Sequence, residues 1–219
     1  MAQPDYYPIF LDLTGRRCVV VGGGAVAEGK VRGLLAANAT IALVAPQLTP
    51  ALRDLVASEQ IRHREGEYDA SDLEDADLCL VATDDGAINA RVAADARTRR
   101  ILVNSADDPA NCDFILPAVV RSGSVVVAAS TGGASPALAR RLREDLTAFL
   151  DEGYGPLGDL LGAVRSEVRA AGQRIDPEAW QKAIDARLRT LVAQGRIEDA
   201  RNRLRKALGI EPPPEHPEA

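Results

Sequence analysis

Apolar runs alternate with stretches of helical periodicity through the first half of the chain. The runs predict strands at 17–21, 40–44, 61–64, 78–82 and 101–104, and the stretches between them predict helices at 25–37, 52–57 and 85–97. The first strand, RCVVV, has apolar residues in succession, which is typical of a strand buried on both faces of a sheet. Strands that alternate with helices require crossover connections. The pattern therefore predicts an α/β fold with a Rossmann-like, doubly wound parallel sheet.

The pattern changes after Asn104. Two β-rich runs, 114–120 and 124–129, are separated by three residues, a spacing that predicts an antiparallel hairpin. Ser135 is suited to cap the next helix and Pro136 to occupy its first position. Leucines then recur at every fourth residue up to Leu150. Beyond this point the sequence predicts only helices, at 156–171, 176–194 and 197–208.

A glycine-rich turn follows the first predicted strand. Residues 22–27 (GGGAVA) match the pattern G-x-G-x-x-[G/A]. In this pattern Gly22 permits a tight turn, Gly24 allows the backbone to approach a pyrophosphate, and Ala27 keeps the helix close to the strand. A purely structural glycine turn is the alternative. Because the motif ends a strand and opens a helix, we expect it to bind a dinucleotide.

The end of the second predicted strand lacks a carboxylate. Proteins that bind NAD usually place an acidic residue here to hold the ribose 2′-hydroxyl. The corresponding residues 44–47 are VAPQ, in which Gln47 is the remaining hydrogen-bonding side chain. The nearest arginine for a 2′-phosphate is Arg53, outside this stretch. The sequence therefore favours NAD over NADP.

Acidic residues also follow the fifth predicted strand, in the segment NSADDP (104–109). Parallel sheets bind ligands at the carboxyl ends of their strands, so Asp107 or Asp108 is placed to face a nicotinamide. An Asp-Asp-Pro turn held by local hydrogen bonds is the alternative. The spacing alone leaves both interpretations open.

Composition excludes several classes of protein. The chain has 219 residues with 26 basic and 32 acidic side chains, a formal net charge of −6, which argues against a nucleic-acid or anionic-membrane binder. Its two histidines are too few for a His-rich metal site. Its three cysteines suit a reducing cytosol. Neither a secretory signal nor an apolar run long enough to span a membrane is evident, so we expect a cytoplasmic protein.

Six motifs occur in an order that resembles a known family. They are PIF (8–10), VVGGGAVAEGK (20–30), ATDD (82–85), NSADDP (104–109), CDFILPAVV (112–120) and ASTGGASPALAR (129–140). Together they resemble the precorrin-2 dehydrogenase family, the dehydrogenase module of siroheme synthases. The resemblance covers residues 6–150 well and the helical remainder only loosely.

The resemblance implies an activity and a set of site residues. The family oxidises precorrin-2 to sirohydrochlorin with NAD⁺, and the position of its catalytic carboxylate corresponds to Asp107. The expected cofactor-binding residues are Gly22, Gly24, Ala25, Val26, Pro46, Gln47, Thr83, Asp84 and Asn104. The expected substrate-binding residues are Thr131, Gly132, Gly133 and Ser135. Asp107 would act as the general base while NAD accepts the hydride.

The resemblance also implies partners and a domain plan. We expect a homodimer formed through the region after the Rossmann unit, and a separate uroporphyrinogen methyltransferase that supplies the substrate. The expected segments are a NAD-binding Rossmann domain (1–112), a hairpin and helix for dimerisation and the substrate cleft (113–150), a helical domain (151–210) and a disordered tail (211–219).

Three alternatives stay open. Some relatives also insert Fe²⁺ into sirohydrochlorin, and since no His/Cys cluster has ligand spacing, such a chelatase would depend on Asp107. The chain is alternatively a non-catalytic NAD-binding regulator, in which a basic face of the last helix (Arg201, Arg203, Arg205 and Lys206) meets an acidic partner. A generic Rossmann reductase of simple carbonyls is the third alternative.

Overall fold

The computed structural model describes residues 5–106 and 108–210, and the chain divides into two compact units between Leu116 and Pro117. Asp107 and the tail expected to be disordered (211–219) lie outside the described residues. Within 5–106 and 108–210, no helix combines the length and the apolar character needed to cross a bilayer.

The first unit is built on a five-stranded parallel sheet with the strand order β3-β2-β1-β4-β5. Its strands are β1 (Arg17–Val21), β2 (Thr40–Ala45), β3 (Arg62–Glu65), β4 (Leu78–Val81) and β5 (Leu102–Ser105). Its helices are α1 (Ala25–Leu35), α2 (Pro50–Ala57) and α3 (Gly86–Thr98), with 3₁₀ turns at Ala70–Leu73 and Pro109–Asn111. The predicted Rossmann-like sheet is confirmed.

Both faces of this sheet are buried. Val19 of β1 lies in the cluster that contains Val92 of α3, whereas the next residue, Val20, lies in the cluster that contains Val31 of α1 and Leu52 of α2. Alternate side chains of one strand point to opposite faces, which explains why β1 is apolar throughout. Because all five strands are parallel, the loops at their carboxyl ends meet at one edge of the sheet.

Polar caps fix where the helices that follow this edge begin. The Asp85 carboxylate accepts hydrogen bonds from the backbone N–H groups of Ala87 and Ile88, so it caps α3 as the sequence predicts. Thr49 caps α2 by accepting from the N–H of Leu52 over 3.3 Å. As a result α2 begins at Pro50, two residues before the predicted start.

The described part of the second unit, residues 117–210, contains an antiparallel hairpin and five helices. The hairpin strands are β6 (Ala118–Ser122) and β7 (Val125–Ala129). The helices are α4 (Pro136–Asp151), α5 (Tyr154–Ala170), α6 (Pro177–Ala183), α7 (Ala186–Ala193) and α8 (Ile197–Ala207). An antiparallel hairpin followed by helices confirms the predicted fold class for this part of the chain.

The turn of the hairpin lies later than the sequence predicts. Arg121 and Ser122 continue β6, and the turn is formed by Gly123 and Ser124. Gly123 has a φ of +52°, which favours glycine, so the chain reverses here. The Asp159 carboxylate on α5 accepts from the Ser124 N–H over 2.8 Å and holds the turn against that helix.

The helix predicted at 176–194 is wrong as a single element. It is interrupted between α6 and α7, where the side chain of Asp185 caps α7 by accepting from the N–H of Leu188 over 2.8 Å. The same carboxylate pairs with Arg203 on α8. A capping residue bound to a neighbouring helix favours two short helices over one continuous helix.

The basic residues of α8 are bound inside the second unit. Arg201 and Arg205 both pair with Glu167 of α5, over 3.0 and 2.7 Å, and Arg203 pairs with Asp185. Three of the four cations expected on a basic face are therefore committed to internal ion pairs. This observation removes the main support for an acidic partner at α8.

Candidate cofactor-binding and catalytic site

Gly22 makes the turn between β1 and α1 possible. Its φ is +119°, and a Cβ at this position would lie 2.2 Å from the carbonyl oxygen of Ala82, which follows β4. Its N–H donates to the carbonyl of Val44 in β2 over 2.9 Å. Both the dihedral angle and the close approach require glycine, in agreement with the tight turn predicted from the motif.

Gly23 has a role that sequence reasoning missed. A Cβ here would lie 1.9 Å from the carbonyl oxygen of Gln47, and the Gly23 carbonyl accepts from the Thr49 N–H over 3.0 Å. The hydroxyl of Thr49 in turn donates to the Glu28 carboxylate on α1 over 3.0 Å. These contacts join the loop after β1 to the loop after β2, and they leave Pro46 and Gln47 exposed beside the glycine turn. The signal available in the sequence was a glycine at the middle position of the motif, where any residue is allowed.

The start of α1 has the properties of an anion-binding site. Gly24 is its N-cap and supplies no capping side chain, and nothing lies within 4 Å of where its Cβ would be. Ala25 and Val26 are exposed. The first N–H groups of a helix have no intrahelical partner, and the helix dipole places positive charge there. This open, glycine-capped helix end fits a dinucleotide pyrophosphate.

Thr83 and Asp84, which follow β4, have different environments. The Thr83 hydroxyl lies 2.6 Å from Oδ1 of the buried Asn89 and accepts from the Asp85 N–H over 3.2 Å. The Asn89 amide also donates to the Thr83 carbonyl over 3.0 Å. Thr83 therefore shapes the loop through its side chain, whereas Asp84 is exposed.

Asn104 is buried at the end of β5 and links three segments. Its Oδ1 accepts from Nζ of Lys30 on α1 over 2.7 Å, and its Nδ2 donates to the carbonyl of Phe114 over 2.9 Å. Both ends of the amide are thus used within the first unit. Its contacts connect the pyrophosphate-binding helix to the loop that follows β5.

The loop after β5 contains both candidate aspartates, of which Asp108 is among the described residues. Asp108 accepts a hydrogen bond from the Asn111 amide over 2.7 Å, and its carbonyl accepts from the Asn111 N–H over 3.0 Å. This is the local hydrogen bonding expected of an Asp-Asp-Pro turn. Asp107, the predicted base, lies outside the described residues, so its catalytic role stays a prediction.

Cys112 closes the same loop. Its sulfur lies 3.2 Å from the Ser105 nitrogen and 3.1 Å from the Ser105 oxygen, and burial raises the pKa of its thiol. The Ser105 hydroxyl itself is buried and, among the described residues, has no hydrogen-bond partner. A thiol with a raised pKa is a poor nucleophile at neutral pH, so Cys112 is suited to a structural role.

The predicted substrate-binding turn lies in the second unit. The Thr131 hydroxyl accepts from the Ser135 N–H over 3.2 Å, and Gly132 and Gly133 both have positive φ, +62° and +91°. Ser135 accepts from the Leu138 N–H over 3.2 Å and caps α4, as predicted. The result is a closed turn in front of a helix N-terminus, and substrate binding by these residues stays a prediction.

Metal ligands do not converge in the described structure. Across 5–106 and 108–210, no group of three or more His, Cys, Asp or Glu side chains is arranged to hold a metal ion. A chelatase role for Asp107 stays a prediction, since this residue lies outside those ranges.

Comparison with known proteins places these features in a family. The family model described as putative NAD(P)-binding matches residues 9–118, and the model described as sirohaem biosynthesis protein central matches 127–148. The solved structure of SirC, a precorrin-2 dehydrogenase, is 30% identical, covers 90% of this chain and 99% of its own, and superposes with a TM-score of 0.73. The chain belongs to the precorrin-2 dehydrogenase family. The fold and order of elements in this family therefore extend to both units.

Siroheme synthases contain the same family module within longer chains. The protein from Sodalis glossinidius is 39% identical over 95% of this chain, and siroheme synthase 1 from Serratia proteamaculans is 41% identical over 93%. The matches cover only 45% and 43% of those proteins. The chain thus spans about half the length of the curated relatives that it matches.

Proposed function

We propose that this protein oxidises precorrin-2 to sirohydrochlorin with NAD⁺. The observation that carries the proposal is the glycine turn of 22–24, which leaves an exposed start of α1 without a capping side chain and lies within residues 9–118, which match the NAD(P)-binding family model. The 30% identity to a precorrin-2 dehydrogenase over nearly the whole of that chain supports the substrate.

The residues of the first unit have separable roles in this proposal. The N–H groups at the start of α1 bind the pyrophosphate, and the backbone of Pro46 and Gln47 lies beside the adenosine end. Asp84 is exposed at the end of β4, whereas Thr83 and Asn104 position their loops. When bound, NAD⁺ supplies the hydride acceptor. In the proposal Asp107 takes the accompanying proton as general base, a role worth about 10²–10⁴-fold in rate.

The second unit contributes substrate binding in this proposal. Precorrin-2 carries carboxylate side chains, and the turn at Thr131–Pro136 precedes the N-terminus of α4, where the dipole favours negative charge. Gly133 is exposed at this turn and carries no side chain. We propose that substrate carboxylates bind here, with Ser135 keeping the helix start in place.

Self-association and location complete the proposal. Within the described part of the second unit, α4 spans sixteen residues but buries only Leu150, and Leu138, Phe149 and Val119 stay 40–51% exposed. A helix and hairpin with so much exposed apolar surface support a homodimer formed through this unit.

All three cysteines are free thiols, which supports a reducing cytosol. A uroporphyrinogen methyltransferase would supply the substrate.

Anaerobic incubation with precorrin-2 and either NAD⁺ or NADP⁺ tests the proposal. We expect NADH to form together with sirohydrochlorin, with NAD⁺ preferred. Cofactor binding without NADH formation would favour the non-catalytic regulator, and NADH oxidation by simple carbonyls would favour a generic reductase. Adding Fe²⁺ and sirohydrochlorin to the same enzyme tests chelatase activity, which would have to depend on Asp107 and on substrate carboxylates.

A further inference from the structure

Two consecutive side chains complete the outer edge of the sheet in the first unit. Strand β5 is the last strand of the sheet, so no neighbouring strand of the described residues binds its outward backbone groups. At Val103, the N–H donates to the Asp113 carboxylate over 3.1 Å and the carbonyl accepts from the Asp113 N–H over 2.8 Å. Asp113 thereby replaces one residue of a sixth strand.

Cys112 does the same at Ser105. Its sulfur accepts from the Ser105 N–H over 3.2 Å, and its thiol lies 3.1 Å from the Ser105 carbonyl oxygen. The thiol also lies 3.3 Å from the carbonyl oxygen of Asp108. Ser105 and Asp108 flank Ala106 and Asp107 in the sequence. One side chain therefore ties the backbone on both sides of residue 107.

A third side chain supports this arrangement from α3. Nε of Arg97 donates to the Asp113 carboxylate over 3.0 Å, and Nη2 donates to the Ala110 carbonyl over 3.2 Å. On the inner side, the Ala106 N–H donates to the Val81 carbonyl in β4 over 2.9 Å. We call Cys112 and Asp113 the latch of this loop.

We propose that the latch is needed for turnover, because it holds the backbone of Ser105 and Asp108 on either side of the proposed base. The inference rests on the proposed function, because it assigns the latch to the base of that reaction. A displacement of about 1 Å in a reacting group costs up to about 10²-fold in rate. The hydrogen bonds of the latch described above go to β5, α3 and its own loop rather than to the glycine turn, so its loss changes turnover and leaves NAD affinity intact.

Steady-state kinetics of four proteins test this role: the wild type, Cys112→Ala, Cys112→Ser and Cys18→Ala. Cys18 is a buried thiol in β1 and provides the same chemical change away from the loop. We expect Cys112→Ala to lower kcat for precorrin-2 by about 10- to 100-fold while the Kd for NAD⁺ stays within about twofold. Cys112→Ser keeps a donor and an acceptor and recovers most of kcat, and Cys18→Ala retains it. Unchanged kcat in Cys112→Ala, or equal losses in Cys112→Ala and Cys18→Ala, overturns the proposal.

Hydrogen exchange of the loop amides provides a readout that does not need activity. We expect the amides of 105–113 to exchange at least about tenfold faster in Cys112→Ala than in the wild type, and unchanged in Cys18→Ala. Asp113→Asn keeps the shape of the side chain but loses the charge that faces Arg97. This second variant should also increase the exchange rate of the loop amides. Equal amide exchange rates in the wild type and all variants would contradict the proposed role of the latch. If the loop amides exchange more slowly in the wild type than in Cys112→Ala, but the wild type does not oxidise precorrin-2, the proposed function is wrong. The role of the latch in stabilising the loop is then still supported.

Discussion

Nζ of Lys30 donates a hydrogen bond of 2.7 Å to Oδ1 of Asn104, so the helix at the glycine turn is joined to the strand that precedes Asp107. The other end of the Asn104 amide donates to the carbonyl of Phe114. A single buried amide thus couples the helix of the proposed pyrophosphate site to β5 and to the segment at Phe114. The coupling is structural, since both polar ends of Asn104 are used within the protein.

Asn104→Ala should destabilise the first unit by about 1–3 kcal/mol, because it takes this hydrogen-bond partner from the Lys30 ammonium and the Phe114 carbonyl. Urea denaturation measures the loss. Asn202→Ala, at an exposed position of α8, makes the same chemical change and is the matched control, which should change stability by less than about 0.5 kcal/mol. Equal stability of the Asn104→Ala variant and the control would contradict the coupling.

Two glycines of one motif should respond differently to alanine. Gly22→Ala forces a Cβ toward the Ala82 carbonyl at a positive φ, so it should cost at least about 1–3 kcal/mol of stability. At Gly24 an added Cβ would lie in open space, so Gly24→Ala should fold normally. It should nevertheless weaken NAD⁺ binding by about tenfold or more, equivalent to about 1.4 kcal/mol. Thermal denaturation and calorimetric titration separate the two effects. Normal NAD⁺ affinity in Gly24→Ala would place the pyrophosphate elsewhere.

Two glycines of α5 provide a similar contrast in the second unit. Alanine at Gly155 would place its Cβ 2.1 Å from the Ser122 hydroxyl and 2.7 Å from the Ser122 backbone carbon. This overpacking, worth about 1–3 kcal/mol, outweighs the gain in helix propensity of up to about 1 kcal/mol. Nothing lies within 4 Å of the corresponding position at Gly162, so Gly162→Ala should stabilise the unit by about 0.5–1 kcal/mol. Chemical denaturation shows whether each variant raises or lowers the free energy of unfolding. A higher free energy of unfolding in Gly155→Ala would refute the close contact with the hairpin.

Acid should weaken the junction between α6 and α7. Hydrogen bonds from Arg203, and then from the Leu188 N–H, lower the pKa of Asp185. A lowered pKa in the folded state stabilises the protein above the unfolded value of about 3.9, and this stabilisation is lost as the pH falls through the folded pKa. Asp185→Asn should therefore flatten the fall in Tm below about pH 4. Glu152→Gln, at an exposed position in the same unit, is the control. The same fall in Tm below about pH 4 in the wild type and in Asp185→Asn would contradict the stabilising role of the Asp185 carboxylate.

The sequence predicted those features that depend on local signals. The strand at 17–21, the cap at Asp85 and the Ser135-Pro136 helix start all follow from residue type and spacing, and all are present. The parallel sheet follows from the alternation of strands and helices. Local propensity and apolar periodicity thus account for the architecture of the first unit.

The features that the sequence did not predict depend on tertiary contacts. Asp185 interrupts a helical pattern because its carboxylate binds Arg203, a residue of another helix. The roles of Gly23 and Gly155 depend on the backbones that approach them, at Gln47 and Ser122. The latch is similarly hidden, since Cys112 and Asp113 bind backbone groups that carry no sequence signature.

The central claim is that Asp107 is the base of an NAD-dependent oxidation of precorrin-2. The most direct measurement compares wild type and Asp107→Ala in anaerobic turnover of precorrin-2 with NAD⁺, together with the Kd for NAD⁺. The account predicts an unchanged Kd and a loss of about 10²-fold or more in kcat for Asp107→Ala. Full turnover by that variant would contradict it.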